Sequence, residues 1–326
     1  MIAGLTFAAI AVLMVAGVLL DLLLGEARRW HPLVGFGNLA IGLERRLNRG
    51  TGKARFRRGV LAWMLAVLPA TALAALLAWA AATVSFWLAA AVHAAMLYVC
   101  LGLRSLREHN LPIAHALAQN DLPQARYLTS RIVSRDTSSA SEVELTRASA
   151  ESLLENGNDA VFATLFWFIV GGGPGAVMFR MANTLDAMWG YRTERLLRFG
   201  CAAARIDDAF NYLPARLTAL SYVLLAPGLA AKRRAWQCWR AQAPLWDSPN
   251  AGPVMASGAG SLGVQLGGAA IYHGQLEERP VLGAGVPATG VDIRRAWKLV
   301  THATALWLIA GLALALLLEL LEVLHA

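Results

Sequence analysis

The chain has 326 residues, of which 57% are hydrophobic and only 15% are charged. Soluble domains carry about 25% charged residues, and the abundance of Leu, Ala, Val and Trp excludes disordered and collagen-like chains. Three widely separated cysteines exclude a disulfide scaffold. The composition therefore predicts an integral membrane protein with a substantial polar portion.

The net charge of +8 is concentrated in a basic cluster near the N-terminus. Between residues 28 and 58, where Glu44 is the only acid, the basic side chains are Arg28, Arg29, Arg45, Arg46, Arg49, Lys53, Arg55, Arg57 and Arg58. This cluster lies between two long apolar runs, where the enrichment of Lys and Arg in cytoplasmic loops explains it. The distribution thus favours membrane orientation and no nucleic-acid partner.

Four apolar runs are long enough to cross a lipid bilayer, which takes about 20 residues. They predict spans at 2–20, 59–80, 84–103 and within 303–326, the second and third joined by a minimal turn at 83–85. If the basic cluster is cytoplasmic, both termini lie outside and residues 104–302 face the cytoplasm. The fold class predicted is mainly α, a polytopic protein of the cell inner (cytoplasmic) membrane with a cytoplasmic helical portion.

Two further apolar segments, 160–179 and 217–231, are ambiguous. The sequence Gly-Gly-Gly-Pro-Gly at 171–175 interrupts the first segment, and a Pro-Gly pair at 227–228 lies within the second. Irregular backbone at membrane depth is tolerated where protein buries it or where it lines a cavity. We therefore expect buried or re-entrant helices here rather than two full spans.

The polar stretches between these segments also carry local signals. Residues 106–131 predict a helix, a turn and a second helix, and Ser141 followed by Glu144 predicts a capping box. Gly and Pro crowd residues 248–290, which predicts a long ordered loop.

Most side chains capable of chemistry lie between residues 131 and 216. Glu151, Glu155 and Asp159 recur at every fourth position, which places three carboxylates along one helical face. Because like charges at this spacing repel, an arginine or a bound metal is expected opposite them. The alternative is an ordinary solvated helix face.

A second acidic group follows farther along the chain. Adjacent Asp207 and Asp208, with Asn211 one turn later, offer oxygen ligands of the kind that Mg²⁺ takes. The alternative is an acidic helix N-terminus that complements the helix dipole. Polar groups in so apolar a chain are costly and are usually kept for function. The glycine-rich stretch at 171–175 lacks the Lys-Ser/Thr of a P-loop, so no nucleotide motif is visible.

Several motifs, in the same order along nearly the whole chain, together resemble a known family. They are HPLVGFG (31–37), SRDTS (134–138), ESLLENGND (151–159), LFWFIVGGGPGA (165–176), MANTLDAMWGYR (181–192), FGCAAARIDDAFNYLPARLTAL (199–220), SPNAG (248–252) and LGVQLGG (262–268). In these motifs the chain resembles the CobD/CbiB family, the adenosylcobinamide-phosphate synthases of cobalamin biosynthesis. It departs from the family's usual pattern at Glu26, Ser134 and Asp247.

The resemblance implies a ligase that forms a C–N bond. A carboxylate of a corrinoid, adenosylcobyric acid, is activated with ATP and amidated by (R)-1-aminopropan-2-ol or its O-phosphate. ATP and Mg²⁺ are implied with it, and other late cobalamin-pathway membrane enzymes are implied as partners besides the lipid bilayer. A different class of function also fits a distant relative, a non-catalytic AmpE-like membrane sensor or scaffold, or a corrinoid-binding membrane anchor.

The resemblance also assigns residues to roles. The catalytic set carried over is Asp136, Glu155, Asp207 and Asp208, of which Glu155, Asp207 and Asp208 are expected to bind the metal. The substrate-binding set carried over is Arg135, Thr137, Glu151, Asn156, Asp159, Asn183, Asp186, Tyr191, Arg192, Arg205, Asn211, Arg216, Ser248 and Asn250. We further expect Arg135, Arg192 and Arg205 to hold phosphate, and Trp167, Phe168 or Trp189 to contact the macrocycle.

Overall fold

A computed structural model describes residues 5–26, 31–272 and 275–325. The chain is 78% helical and contains five long apolar helices. This confirms the predicted fold class, a mainly α polytopic membrane protein. Arg28 and Arg29 of the basic cluster, and residues 2–4 of the first predicted span, lie outside the described residues.

Helices account for nearly all regular structure in the described ranges. They are α1 Phe7–Leu24, α2 Pro32–Leu47, α3 Gly52–Val84, α4 Phe86–Cys100, α5 Leu103–Ala118, α6 Leu122–Ser130, α7 Glu142–Gly157, α8 Ala163–Trp189, α9 Cys201–Leu225, α10 Gly228–Gln242, α11 Ala251–Leu262 and α12 Gly290–His325. A π-helical turn, Asn158–Phe162, joins α7 to α8, and a 3₁₀ turn, Ala243–Leu245, follows α10.

The chain divides into two compact units. The first unit comprises Met1–Gly102, Ala163–Asn211 and Leu308–Ala326, and the second comprises Leu103–Phe162 and Tyr212–Trp307. The first unit contains α1–α4 and α8, and the second contains most of the polar helices. The predicted division at residues 103 and 302 concerns the side of the membrane and stays a prediction.

Five helical segments of the described chain are long and apolar enough to cross a membrane. They are Phe7–Leu24, Gly52–Val84, Phe86–Ala118, Glu142–Trp189 and Gly290–His325. Four of them overlap the four predicted spans, and the fifth contains the ambiguous segment 160–179. The other ambiguous segment, 217–231, falls across the end of α9 and the start of α10, and neither helix is among these candidates.

The minimal turn between the second and third spans is confirmed. Helix α3 ends at Val84 and α4 begins at Phe86, so that Ser85 alone separates them. The Ser85 hydroxyl accepts a hydrogen bond of 3.1 Å from the Leu88 N–H. A single extended residue that caps the second helix is therefore enough to reverse the chain.

The Gly-Pro interruption is a sharp kink inside α8. Gly172 has φ 62° and ψ −153°, a conformation open essentially to glycine alone, and Pro174 has no N–H to donate. The freed N–H of Gly173 donates instead to Nδ1 of the buried His93 on α4, at 2.8 Å. The backbone is thus irregular where the sequence predicts it and is satisfied by protein, as such a site requires.

The prediction of a long loop at 248–290 is wrong. This region contains the buried helix α11 and five short strands: β1 Val264–Gly267, β2 Ala270–Tyr272, β3 Gln275–Glu277, β4 Val281–Gly283 and β5 Val286–Pro287. The small residues serve close packing, because a Cβ on Gly260 would lie only 2.8 Å from the Cα of Ala235 on α10. A high glycine content here marks a tight helix contact rather than a loop.

The strands form two small sheets in the second unit. Strand β1 pairs antiparallel with β4, with Leu266 opposite Leu282, and parallel with β5, with Val264 opposite Val286. Strands β2 and β3 form a separate antiparallel pair. The other local predictions for this unit are confirmed: α5 and α6 form the helix pair, and Ser141 with Glu144 forms the capping box at the start of α7.

Candidate active site

Glu151 lies at the centre of a buried ionic cluster in the second unit. Its side chain is 3% exposed and is paired with the guanidinium groups of Arg135 and Arg279, the second at 3.4 Å. Its other oxygen, Oε1, accepts a hydrogen bond of 2.7 Å from the Gly267 N–H. The cation predicted opposite the carboxylates is therefore arginine, and the alternative of a solvated face is wrong for Glu151.

Local hydrogen bonds hold the loop that carries Arg135. The Asp136 N–H donates to the carbonyl of Ile271 in β2 at 2.9 Å, and the Thr137 hydroxyl donates to the Arg126 carbonyl at 3.0 Å. The Ser138 N–H donates to the Asp136 carboxylate, and these bonds from Ser138 lower the pKa of Asp136 below its ordinary value. Asp136 is therefore an exposed, ionised carboxylate next to the cluster.

The same loop forms one wall of a polar pocket. Arg147, four residues before Glu151, donates to the Gly267 carbonyl at 3.3 Å, so that both polar backbone groups of Gly267 are bound by side chains of α7. Lining residues with charged or hydroxyl side chains are Arg135, Asp136, Thr137, Ser139, Glu144 and Arg147. Both signs of charge thus face one small space.

Glu155 and Asp159 continue the carboxylate row towards the π-helical turn. The Glu155 carboxylate is repelled by Asp159 and Glu151 and attracted by Arg135 and Arg279. The amide of Asn158 donates to Asp159 at 3.0 Å, while its oxygen accepts from Thr218 at 2.9 Å. The predicted interaction among the three carboxylates is therefore present. Asn156, by contrast, donates to the carbonyl and hydroxyl oxygens of Ser152 one turn earlier on α7, at 3.0 and 3.2 Å.

A second group of predicted residues meets around Arg216. Its Nη1 donates to the Asn250 side-chain oxygen at 2.7 Å, and its Nη2 donates to the Pro249 carbonyl at 2.9 Å. The Ser248 hydroxyl accepts from the N–H groups of Asn250 and Ala251 at 3.3 and 3.2 Å. The structure thus brings Arg216, Ser248 and Asn250 together.

In the first unit, Asp207 forms a buried polar group between α8 and α9. One of its oxygens accepts from the Asn183 amide at 3.3 Å, and the other accepts from the Asn211 amide at 3.0 Å. Since Asp207 is the seventh residue of α9 and the first turn of that helix contains no acid, the alternative of a helix-dipole role is wrong. Asp208 next to it is half-buried.

The remaining predicted residues of the first unit lie near the end of α8 and on α9. Asp186 approaches the backbone of Gly190 so closely that a Cβ there would collide with it. Tyr191, Arg192 and Arg205 are exposed. Their role in holding substrate stays a prediction.

The aromatic contacts predicted for the macrocycle are wrong in two of three positions. Phe168 is fully buried against His93, with ring centroids 6.5 Å apart, and Trp189 is buried against Phe199, with centroids 5.1 Å apart. Trp167 is half-buried, and its indole N–H donates to the Phe210 carbonyl at 3.1 Å. The rings of Phe168 and Trp189 are thus packed in the helical core rather than exposed to a ligand.

Comparison with known proteins decides the family. The family model described as "CobD/Cbib protein" matches residues 14–300. The chain belongs to the CobD/CbiB family. It is 56% identical over 295 residues to the "Cobalamin biosynthesis protein CobD" of Stutzerimonas stutzeri, which covers 90% of this chain and 94% of that protein. The protein of the same description from Chromobacterium violaceum is 54% identical over 305 residues, 92% of this chain and 95% of the relative.

A third relative in the CobD/CbiB family matches the chain at a lower sequence identity. The "Cobalamin biosynthesis protein CobD" of Geobacter metallireducens is 43% identical over 271 residues, 82% of this chain and 84% of its own length. No solved structure matches the chain. Membership of the CobD/CbiB family places the chain in cobalamin biosynthesis.

Sequence reasoning missed two residues of the candidate site in this CobD/CbiB protein. Arg279 lies 128 residues from Glu151 and belongs to no motif quoted above, so nothing local in the sequence connects the two. Arg147 also lies outside the quoted motifs. The glycines of the 262–268 motif were the available signal, because Gly267 is the backbone position that Glu151 and Arg147 both bind.

The carboxylates of this chain are the type of ligand that the implied magnesium ion takes. Mg²⁺ with a nucleotide takes one or two protein carboxylates and completes its shell with phosphate and water oxygens. In the described ranges, no group of three or more His, Cys, Asp or Glu side chains is arranged to hold a metal ion. Glu155 belongs to the second unit and Asp207 and Asp208 belong to the first, so their convergence on one metal stays a prediction.

Proposed function

We propose that this chain is the ligase that amidates adenosylcobyric acid with (R)-1-aminopropan-2-ol or its O-phosphate, using ATP, to give adenosylcobinamide or its phosphate. The main support for the proposal is the match of the family model over residues 14–300. The proposed location is the cell inner membrane, with both termini outside and residues 104–302 facing the cytoplasm apart from any re-entrant parts.

The proposed reaction has two steps. A corrinoid carboxylate oxygen attacks the γ-phosphorus of ATP, so that a new P–O bond forms, the bond to the β-phosphate oxygen breaks, and ADP leaves. The amine nitrogen then attacks the resulting acyl phosphate; a C–N bond forms, phosphate leaves, and the amine gives up its proton. Mg²⁺, when bound, would neutralise charge on the transferred phosphoryl group.

Residues of the second unit match what these steps require. Arg135 and Arg279 are cations held in place by Glu151, and in this role their guanidinium groups neutralise the phosphoryl oxygens. Asp136 is ionised and is suited to accept a hydrogen bond from an N–H of the neutral amine, which orients the nitrogen for attack. The half-buried Glu155, repelled by its neighbouring carboxylates, is suited to accept the proton that the attacking amine loses.

Growth of a deletion strain separates the ligase from a sensor, a scaffold or a corrinoid anchor. We expect a strain that lacks this protein to grow on supplied cobinamide but not on cobyric acid, because only the amidation step is missing. Complementation with the intact gene is the control. Equal growth on both precursors would contradict the proposal and favour a non-catalytic role.

Substitution of Asp207 tests whether the first unit contributes to the proposed reaction. We expect Asp207→Asn to lower turnover at least about tenfold without unfolding the chain, because the amide keeps the shape and removes the charge between Asn183 and Asn211. Product formation and the circular dichroism of the purified variant are the measurements. Unchanged turnover with unchanged Mg²⁺ dependence would remove Asp207 from the site.

Chemical labelling tests the proposed orientation. We expect cysteines placed at Ser141 and Gln275 to resist a membrane-impermeant thiol reagent in intact cells and to react after the cells are opened. The physical reason is the cytoplasmic preference of the basic cluster before the second span. Labelling of both positions in intact cells would overturn the orientation, and a cysteine at Ser85, in the predicted outer turn, is the positive control.

A further inference from the structure

An open cleft of about 480 Å³ lies in the second unit, apart from the Glu151 cluster. Two indole rings, Trp239 and Trp246, and two guanidinium groups, Arg216 and Arg240, line it together with Asp247. Its volume lies within the range of small-molecule sites, about 300–1,000 Å³. The size therefore suits a ligand with one planar ring system and a charged tail, and it is too small for a complete corrinoid with its side arms.

One wall of the cleft is held rigidly. The guanidinium carbon of Arg279 lies 5.1 Å from the centre of the Trp246 ring, and the same side chain is bound to Glu151. Trp246, with this cation over its ring, is also one of the residues that line the cleft. Arg279 thus connects the Trp246 wall directly to the candidate active site.

Arg216 and Arg240 are the two arginines that line the cleft. Arg216 is held by the oxygen of Asn250, by the Pro249 carbonyl, and by the Tyr212 ring, whose centre is 3.6 Å from the guanidinium carbon. Among the residues that the structure describes, no carboxylate forms an ion pair with Arg216 or Arg240. Two such cations in one cleft favour an anionic ligand.

We propose that this cleft binds a purine nucleotide, with the base stacked on Trp246 and the phosphates held by Arg216 and Arg240. Stacking on an indole needs only the flat face of a base, which explains how a nucleotide can bind where no glycine-rich phosphate loop exists. Asp247 supplies a hydrogen-bond acceptor for ribose hydroxyls or the base amino group. The inference rests on the proposed function in one respect, since that reaction consumes ATP.

Equilibrium dialysis of the full-length protein in lipid nanodiscs with labelled ATP tests the site directly, without any turnover. We expect Trp246→Leu and Arg240→Ala each to raise the Kd for ATP about tenfold or more, by loss of stacking and of a phosphate contact. Arg233→Ala is the matched control, because Arg233 is also an exposed cation of α10 but does not line the cleft. Its Kd should equal that of the unaltered protein.

The outcomes separate this inference from the proposed function. If both cleft variants bind ATP as the unaltered protein does while amide product still forms, the cleft is not the nucleotide site and the proposed function stands. If the unaltered protein neither binds ATP nor forms product, the result contradicts both the nucleotide site and the proposed function. Because Arg240 is exposed, its replacement tests the site even if Trp246→Leu fails to fold. An effect of equal size in Arg233→Ala would assign the change to general surface charge and overturn the inference.

Discussion

Glu151→Ala is expected to unfold the second unit at a markedly lower temperature than the unaltered chain. The substitution leaves the guanidinium groups of Arg135 and Arg279, 14% and 15% exposed, without the carboxylate that neutralises both of them. It also removes the acceptor of the Gly267 N–H. Breaking a buried ion pair by removal of one partner costs about 3–5 kcal/mol. Thermal unfolding in detergent, followed by circular dichroism, measures the effect.

Glu108→Ala is the matched control for this prediction. Glu108 also pairs with an arginine, Arg104, at 2.6 Å, but it is 53% exposed and four residues away on the same helix. Exposed pairs of this kind contribute only about 0.3–0.5 kcal/mol. Similar unfolding temperatures for the two variants would show that the Glu151 cluster does not stabilise the second unit.

Gly172→Ala is also expected to destabilise the folded chain markedly. A side chain at φ 62° and ψ −153° occupies a region closed to residues with a Cβ, at a cost of about 1–3 kcal/mol. The backbone must then either keep this strain or straighten and lose the bond from the Gly173 N–H to His93. We expect a lower yield of folded protein and a lower unfolding temperature in detergent.

The neighbouring position provides the control. Apart from its chain neighbours and the backbone of its own helix, no atom lies within 4 Å of the place where a Cβ of Gly171 would be. Alanine is favoured over glycine inside a helix by about 0.5–1 kcal/mol. Gly171→Ala should therefore unfold at the same temperature as the unaltered chain or a higher one. If the two variants are equally stable, the kink at Gly172 does not have the conformation described above.

The membrane helices could be predicted from the sequence because their signal is local. An apolar run long enough to cross a bilayer shows its position directly, and this identified the helix pair joined at Ser85 and the interruption at Gly172. The capping box of Ser141 and Glu144 is also a signal within four residues. These features depend on neighbours in the chain, so the fold class and most helices were predicted correctly.

Features that depend on distant residues were not predictable in this way. Helix α11 was taken for a loop because its glycines, which allow close contact with α10, have the same composition as a flexible segment. Arg279 meets Glu151 only through the folded strands of the second unit. Phe168 and Trp189 were expected to face a ligand, but burial among other rings cannot be distinguished from ligand contact by residue type.

The bond between His93 and the Gly173 N–H has a consequence for how the chain is assembled in the membrane. A backbone N–H left without an acceptor in hydrocarbon costs several kcal/mol, and the acceptor for the kink in α8 is a side chain of α4. Helix α8 therefore has a stable conformation at membrane depth only after α4 is in place. Because α4 is synthesised first, the ribosome delivers the two helices in the order that the kink requires. A circular permutation that began the chain at α8 would expose this N–H to lipid until the very last helix arrived.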